Sequence, residues 1–464
     1  MSWPDPVSAF RDLAGAHPRM FWLDGGGSRE WSGRRSILGW LADDDVSLTY
    51  DAATREVWRH VGGDRELVGD DVFAALEQET ARDADDPSVS WVGYLGYAAR
   101  PDLPALVRPA GPHRVPDAMW MRTARTVAFV HEPADQPGAE AAEAALTGRP
   151  APHVPQVGRE EYDDWFVRVQ QQLRLGNSYE VNLTYREEVA SAVDPVTAYL
   201  RLREVNPAPY AGYLQHDGVS VLSSSPERFA TVDRNRWVQT KPIKGTTPRG
   251  RTAAEDHAHQ ETLRTDPRFR AENLMIVDLL RNDLSVVCEP GTVTVPQLME
   301  VESYATVHQL VSTVRGHLRD GISTMAALRS LFPAGSMTGA PKLRTMEVIA
   351  DVETSPREVY AGALGWVSGD GRADLGVVIR TLTWHEGRYT LGTGGGITVR
   401  SDAASEYDET RWKAARLLMA LDPVADRAGA ERPRDDDGPE PPAGNAGPQS
   451  HPEPDPEPVR EGPL

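Results

Sequence analysis

From Glu161 to Leu421 the chain mixes glycine-bounded, strand-like runs with amphipathic helical patterns, and this mixture points to an α/β or α+β architecture. The helical patterns include "EYDDWFVRVQQQLRLGN", "ENLMIVDLLRNDLSVV" and "DAASEYDETRWKAARLLMAL", whereas "RYTLGTGGGITV" reads as a strand. Upstream, "SVSWVGYLGYAAR" and "DAMWMRTARTVAFVH" are strand-like and tryptophan-bearing. The expected fold class is α/β or α+β, and no repeat of solenoid length recurs.

Two stretches interrupt the pattern. His131 to Gly158 is rich in proline, glycine and alanine, as a linker with a short helix would be. After Asp422 the composition turns to Pro, Gly, Asp and Glu without one aromatic residue, too little apolar area to offset the entropy of ordering. The expected organisation is an N-terminal subdomain over 1–145, a linker over 146–158, a larger domain over 159–422 and a disordered acidic tail over 423–464. A 40% apolar composition supports a substantial core. The formal net charge of −20 argues against nucleic acid or an anionic membrane as partner. A single cysteine, Cys288, excludes an internal disulfide, no N-terminal stretch reads as a signal peptide, and no run approaches the roughly 20 apolar residues of a membrane span. A cytoplasmic protein is expected.

Four features set charge, or naked backbone, among residues that ask for burial. Glu272 opens the apolar run "ENLMIVDLL", where a helix N-terminus alone would favour a carboxylate. Glu406, Glu409 and Lys413 share one helix face by their i, i+3, i+7 spacing, a pattern that a solvated ion-pair face also satisfies. Gly394, Gly395 and Gly396 strip a strand of side chains, which suits close approach of a ligand or a loose turn. "PAGSMTGAPK" leads into a helix starting near Pro341, whose free N–H groups would suit a carboxylate or phosphate. It lacks the glycine spacing and Lys-Ser/Thr ending of a P-loop. His257, His259 and Glu261 lack a convincing further zinc ligand, and Cys288 reads as a buried structural thiol.

Taken together, "GYLGY", "GNSYEVNLT", "NPAPY", "SSSPERF", "PIKGT", "AENLMIVDLLRND", "VHQLVSTVRG", "PAGSMTGAPK", "GALGW", "VVIRTL", "GTGGGI" and "SEYDETRWKA" resemble, in order, the motifs of the chorismate-utilising enzymes. That family contains the anthranilate, aminodeoxychorismate, isochorismate and salicylate synthases, and the resemblance runs over roughly 20 to 420. It implies a two-subdomain sandwich of large antiparallel sheets with outer helices, and 159–422 as its chorismate-binding catalytic domain. It further implies Mg2+ as cofactor and chorismate as substrate. Carried over by motif, Glu272 and Glu406 match metal ligands with Glu409 beside them, and Glu227 of "SPERF" matches the general acid. Arg380, Lys413 and the backbone of Gly394, Gly395 and Gly396 match groups holding the substrate carboxylates, while His308 and Ser336 match residues lining the ring pocket.

Within the family, isochorismate and salicylate synthases carry a lysine where this chain has Glu180, and anthranilate synthases read "PIAGT" where this chain has Lys244. Lys244 therefore resembles the aminodeoxychorismate synthase component I branch, in which a lysine adds to C2 of chorismate and ammonia then displaces it at C4. Burial is expected to lower the Lys244 pKa, and Lys241, at an odd offset in a strand, is expected on the opposite face. The implied ammonia source is a separate glutamine amidotransferase subunit. The alternatives are anthranilate synthase component I and an inert chorismate-fold binding subunit. Tryptophan-sensitive relatives use a Leu-Glu-Ser motif together with Asn-Pro-x-Pro-Tyr. This chain keeps Asn206 to Tyr210 but has Gly25 at the serine position, so weak or absent tryptophan inhibition is expected.

Overall fold

A computed structural model of the chain describes residues 3–25, 35–86, 89–111, 114–123, 125–131, 155–304 and 307–422. The tail over 423–464 and most of the linker, 146–154, lie outside them. Two antiparallel sheets dominate, one of nine strands and one of twelve. In the nine-stranded sheet, Glu180–Ala190, Arg388–Ile397, Thr381–His385, Val219–Ser225, Tyr210–His216, Arg19–Asp24, Arg35–Trp40 and Thr126–Val130 lie in that order, with the short Gly339–Ala340 at the edge beside Glu180–Ala190. The other sheet runs from Ile243–Pro248 and Val307–His317 at one end to the meander Ser47–Asp51, Glu56–Val61, Asp64–Gly69 at the other. Both sheets take strands from either side of the 132–154 break, so the sequence boundary at 145 does not partition them.

The period-2 rule explains the packing. In Arg19–Asp24, Met20 and Trp22 enter an apolar cluster with helices Pro6–Ala16, Pro195–Val205 and Ala403–Met419, while Phe21 and Leu23 face Val92, Tyr94, Met119 and Leu364 of the other sheet. Both faces of the strand are thus buried, which is why "RMFWLD" reads as a nearly unbroken apolar run. The same division governs Glu180–Ala190. Val181, Leu183 and Tyr185 pack against Trp165, Val169 and Leu173 of helix Arg159–Arg174 and against Ile349 of helix Lys342–Val352. Glu180, Asn182, Thr184 and Arg186 therefore face the opposite way. Among the described residues, no helix is long and apolar enough to cross a membrane.

One expectation needs correcting. Glu272 is not at a helix start: the helix spans Pro267–Ser285, with Asp266 as N-cap and Pro267 in its first turn, so Glu272 lies inside it. Attraction to a helix N-terminus does not account for this carboxylate.

Candidate active site

Lys244 sits in a β-bulge. Ile243 pairs with Val311 and Thr246 with Gln309, so Lys244 and Gly245 together oppose Leu310, and Gly245 takes φ +96° to absorb the extra residue. The lysine side chain is only 12% exposed, and its Nζ donates to Oε1 of Glu180, itself buried. Lys241 instead pairs with Glu302 at 2.9 Å, consistent with the odd offset. The expected lowering of the Lys244 pKa does not occur. Burial works to lower it, but the charge and hydrogen bond of Glu180, then Glu272 and Glu227, prevail, and the ammonium form is favoured beyond its ordinary range.

Glu227 is buried, and its Oε1 accepts a 2.6 Å hydrogen bond from Ser336 in the single helical turn Gly335–Met337. Burial pushes its pKa up to about 7, although the Ser336 bond and the Lys244 charge pull the other way. Ser336 thus orients a protonatable carboxyl. The expected helix after "PAGSMTGAP" is present as Lys342–Val352, preceded by the Gly339–Ala340 strand that pairs with Val181 and Glu180.

A second group of carboxylates surrounds the glycine strand. Glu406, one turn into helix Ala403–Met419, is pushed up to about 7 by burial first and by Glu409 next, with Glu272 adding to the repulsion. Glu272 is likewise raised, by burial first and then by Glu180 and Glu409 against the opposing Lys244 charge, and makes no hydrogen bond or ion pair among the described residues. Glu409 is lowered, chiefly by Lys413, which it pairs at 2.8 Å. Lys413 also donates to the carbonyl of Gly394 at 2.9 Å. A Cβ on Gly395 would approach Glu406 Oε2 to 3.2 Å, and one on Gly396 would overlap Glu180 Oε1. No three acidic, histidine or cysteine side chains converge into a ready-made metal cage among the described residues.

Gly394, Gly395 and Gly396 form a strand rather than a loose turn, pairing with Thr184, Leu183 and Asn182. On the other edge, pairing with Thr381–His385 stops at Leu391, so the glycines have no strand neighbour there among the described residues. Arg380 stands immediately before that neighbouring strand, at φ +52°, a conformation costly for a residue with a Cβ. Its guanidinium lies 5.5 Å over the Trp412 ring and has no ion-pair partner among the described residues; burial, with Arg416 nearby, pushes its pKa down to about 10. Such an unmatched cation beside bare backbone suits an anionic ligand.

His308 is fully buried, with Nδ1 bonded to Ser303 at 2.8 Å and Nε2 to Asp256 at 2.9 Å, and none of its polar contacts is with the Glu227 and Lys244 group. Two features escaped the sequence reading. The Glu180 partnership is one. The other is the buried Arg357–Glu353 pair, from which Arg357 reaches the carbonyls of Met337 and Asn182 and so locks the Ser336 turn to the Glu180 strand. Nothing in "SPREVY" advertises that role, because the carbonyls of Met337 and Asn182 lie 20 and 175 residues from Arg357.

The segment expected to govern tryptophan sensitivity is already satisfied from within. Buried Asp24 pairs with Arg203 at 2.7 Å and accepts from Ser36 at 3.1 Å, and Asn206 donates to Ser224 Oγ at 2.8 Å. A Cβ on Gly25 would overlap the Arg35 backbone. Losing one buried hydrogen bond typically costs 1–3 kcal/mol, roughly 5- to 150-fold in affinity. Initial rates are expected to be unchanged by micromolar tryptophan, and Gly25→Ser to leave that insensitivity intact; potent inhibition of either form would contradict this.

The sequence profile of the family described as chorismate binding enzyme matches residues 20–419. An aminodeoxychorismate synthase of Streptomyces pristinaespiralis is 41% identical over 461 residues, covering 90% of this chain and 64% of the relative. An aminodeoxychorismate synthase component 1 of Klebsiella aerogenes is 43% identical over 266 residues, 57% of this chain and 59% of the relative. The chain thus spans less than two thirds of either relative. The crystal structure of anthranilate synthase component I from Streptococcus pneumoniae TIGR4 is similar with a TM-score of 0.70 at 25% identity, over 89% of this chain and 97% of that one, in accord with the sandwich of antiparallel sheets.

Proposed function

We propose, from the premise that this chain belongs to the chorismate binding enzyme family, that it converts chorismate and ammonia to 4-amino-4-deoxychorismate. The observation that carries this reading is a nearly buried lysine beside a carboxyl that still holds its proton near neutrality: Lys244 and Glu227, each feeling the other's charge. In this role Lys244, as the free amine, adds to C2 while Glu227 protonates the departing C4 hydroxyl. Ammonia then attacks C4 and expels the lysine. Arg380, Lys413 and the open edge of Gly394 to Gly396 would hold the substrate carboxylates, and Ser336 would orient Glu227. His308, fixed by Ser303 and Asp256, would form pocket wall. All these residues fall within the stretch 159–422.

The donor set of Glu272, Glu406 and Glu409 fits Mg2+. These are hard oxygen ligands, two of them held above the usual carboxylate range by burial and mutual repulsion, and a divalent cation with water and substrate oxygens in its remaining positions would relieve that repulsion. When bound, the cation supplies charge that offsets the acidic lining toward an anionic substrate. Glu272→Ala and Glu406→Ala are each expected to abolish turnover at millimolar Mg2+. Near wild-type rates in either variant, measured across a Mg2+ titration, would remove these residues from the metal assignment.

Ammonia would come from a separate glutamine amidotransferase, a reading that the name component 1 of the Klebsiella relative supports. Cys288 is buried with its thiol pushed up to about 11, unsuited to glutamine hydrolysis and compatible with a reducing cytoplasm. Chromatographic identification of the product from chorismate, Mg2+ and an ammonium salt tests the proposal. The expected product is 4-amino-4-deoxychorismate, with none when glutamine replaces ammonium; fluorescent anthranilate as the main product would favour the anthranilate synthase reading.

A further inference from the structure

Lys244 presents a chemical difficulty for the reaction just proposed. An amine attacks only as the free base, yet its surroundings hold it as ammonium. The charged groups facing it are Glu180 across the site, Glu227 beside Ser336 and Glu272 from helix Pro267–Ser285. Glu180 is the one in hydrogen-bond contact, through Oε1. Its parity on Glu180–Ala190 turns it away from the helical layer, and the absent side chain of Gly396 leaves the space that Oε1 occupies. Its other oxygen, Oε2, is buried without a hydrogen-bond partner among the described residues.

We infer that Glu180 is the base that removes the Lys244 proton before attack and returns it when the lysine is expelled. This rests on Lys244 acting covalently. The balance is as follows. The proton moves from Nζ to the Glu180 carboxylate, giving a neutral amine and a neutral acid. The amine forms the N–C2 bond, both conjugated ring double bonds shift, and the C4–O bond breaks as Glu227 gives its proton and water departs. The nitrogen on C2 is then a secondary ammonium. Ammonia forms the C4–N bond, both double bonds shift back, and the C2–N bond breaks to release Lys244 as neutral amine. The new C4 ammonium returns one proton to Glu227, and Glu180 returns its own to Lys244. The sum is chorismate plus ammonia giving amino product plus water.

The test is the rate of adduct formation on Lys244 in single turnover with chorismate and Mg2+ but no ammonia, read by intact mass and peptide mapping from pH 6 to 9. Wild type is expected to form the adduct with a rate that falls as pH rises through about 7, since Glu227 must be protonated for the C4–O bond to break. Glu180→Gln keeps the shape and an oxygen acceptor for the lysine but cannot take a proton. It should form the adduct about 10²- to 10⁴-fold more slowly at neutral pH, and the ratio of its rate to that of wild type should climb about tenfold per pH unit as solvent hydroxide replaces the base. Glu180→Asp, which keeps a base at a longer reach, should recover part of the rate and the wild-type profile, and chorismate binding by calorimetry should persist in both. Adduct formation by Glu180→Gln at the wild-type rate and pH dependence overturns the assignment, as does equal loss in both variants with the wild-type profile. If wild type forms no adduct on Lys244, the covalent reading fails and the role of Glu180 falls with it, an outcome distinct from either of the others.

Discussion

Glu227→Gln is expected to lower turnover about 10²- to 10⁴-fold, the usual contribution of a general acid, while leaving chorismate binding nearly unchanged. The amide keeps the volume of the acid and can still accept from Ser336, so the turn Gly335–Met337 should stay in place. What is lost is the proton for the departing hydroxyl. The pH dependence gives the sharper test. A general acid works in its protonated form, and with Glu227 near pKa 7 that form declines as pH rises through neutrality, so kcat/KM of the wild type should carry a falling limb centred near pH 7. Glu227→Gln should lose this limb. Ser336→Ala should displace it to higher pH, because the Ser336 bond favours the anion and its removal favours the acid. A Gln variant with the wild-type rate and profile would exclude Glu227 as the acid.

Lys244→Ala is expected to stop formation of 4-amino-4-deoxychorismate, and Lys244→Arg not to restore it, since a guanidinium keeps the charge but does not become a neutral nucleophile. Opening the space near C2 should also let traces of 2-amino product or anthranilate appear. Stability must be separated from chemistry here. Removing one partner of a buried ion pair leaves the other uncompensated, at a cost of about 3–5 kcal/mol, and Glu180 has its second oxygen already without a partner. A thermal midpoint several degrees below wild type is therefore expected for Lys244→Ala. The double variant Lys244→Met with Glu180→Gln should regain much of that stability without regaining activity. Intact mass of wild type quenched during turnover without ammonia should show a gain equal to chorismate minus water, mapped to Lys244. Robust 4-amino product from Lys244→Arg, with no adduct on wild type, would leave the lysine a purely electrostatic role.

Much of the local structure was legible because its causes lie within a few residues. The i, i+3, i+7 spacing of Glu406, Glu409 and Lys413 placed them on one helix face whatever the helix packs against. Strand parity separated Lys241 from Lys244. The Asp-Pro start of the helix Pro267–Ser285 was also written in the sequence; the apolar run beginning at Glu272 drew the boundary too late. "DAMWMRTARTVAFVH" read correctly as strand, but nothing in its alternation showed that Ala118–Thr123 and Thr126–Val130 enter different sheets, because period 2 reports which way side chains point and not which sheet receives them.

The charge states of the site were decided by tertiary structure alone. Glu180 and Lys244 are 64 residues apart, and Glu227 and Ser336 are 109 apart. A buried lysine by itself is expected to lose its proton, and Lys244 keeps it because the fold brings Glu180 first, then Glu272 and Glu227, to its ammonium. Motif spacing could name the reacting groups, since side-chain type and facing are local properties. Their protonation is not local: it depends on desolvation and on charges within a few ångströms, and those are fixed only when distant strands close over the site.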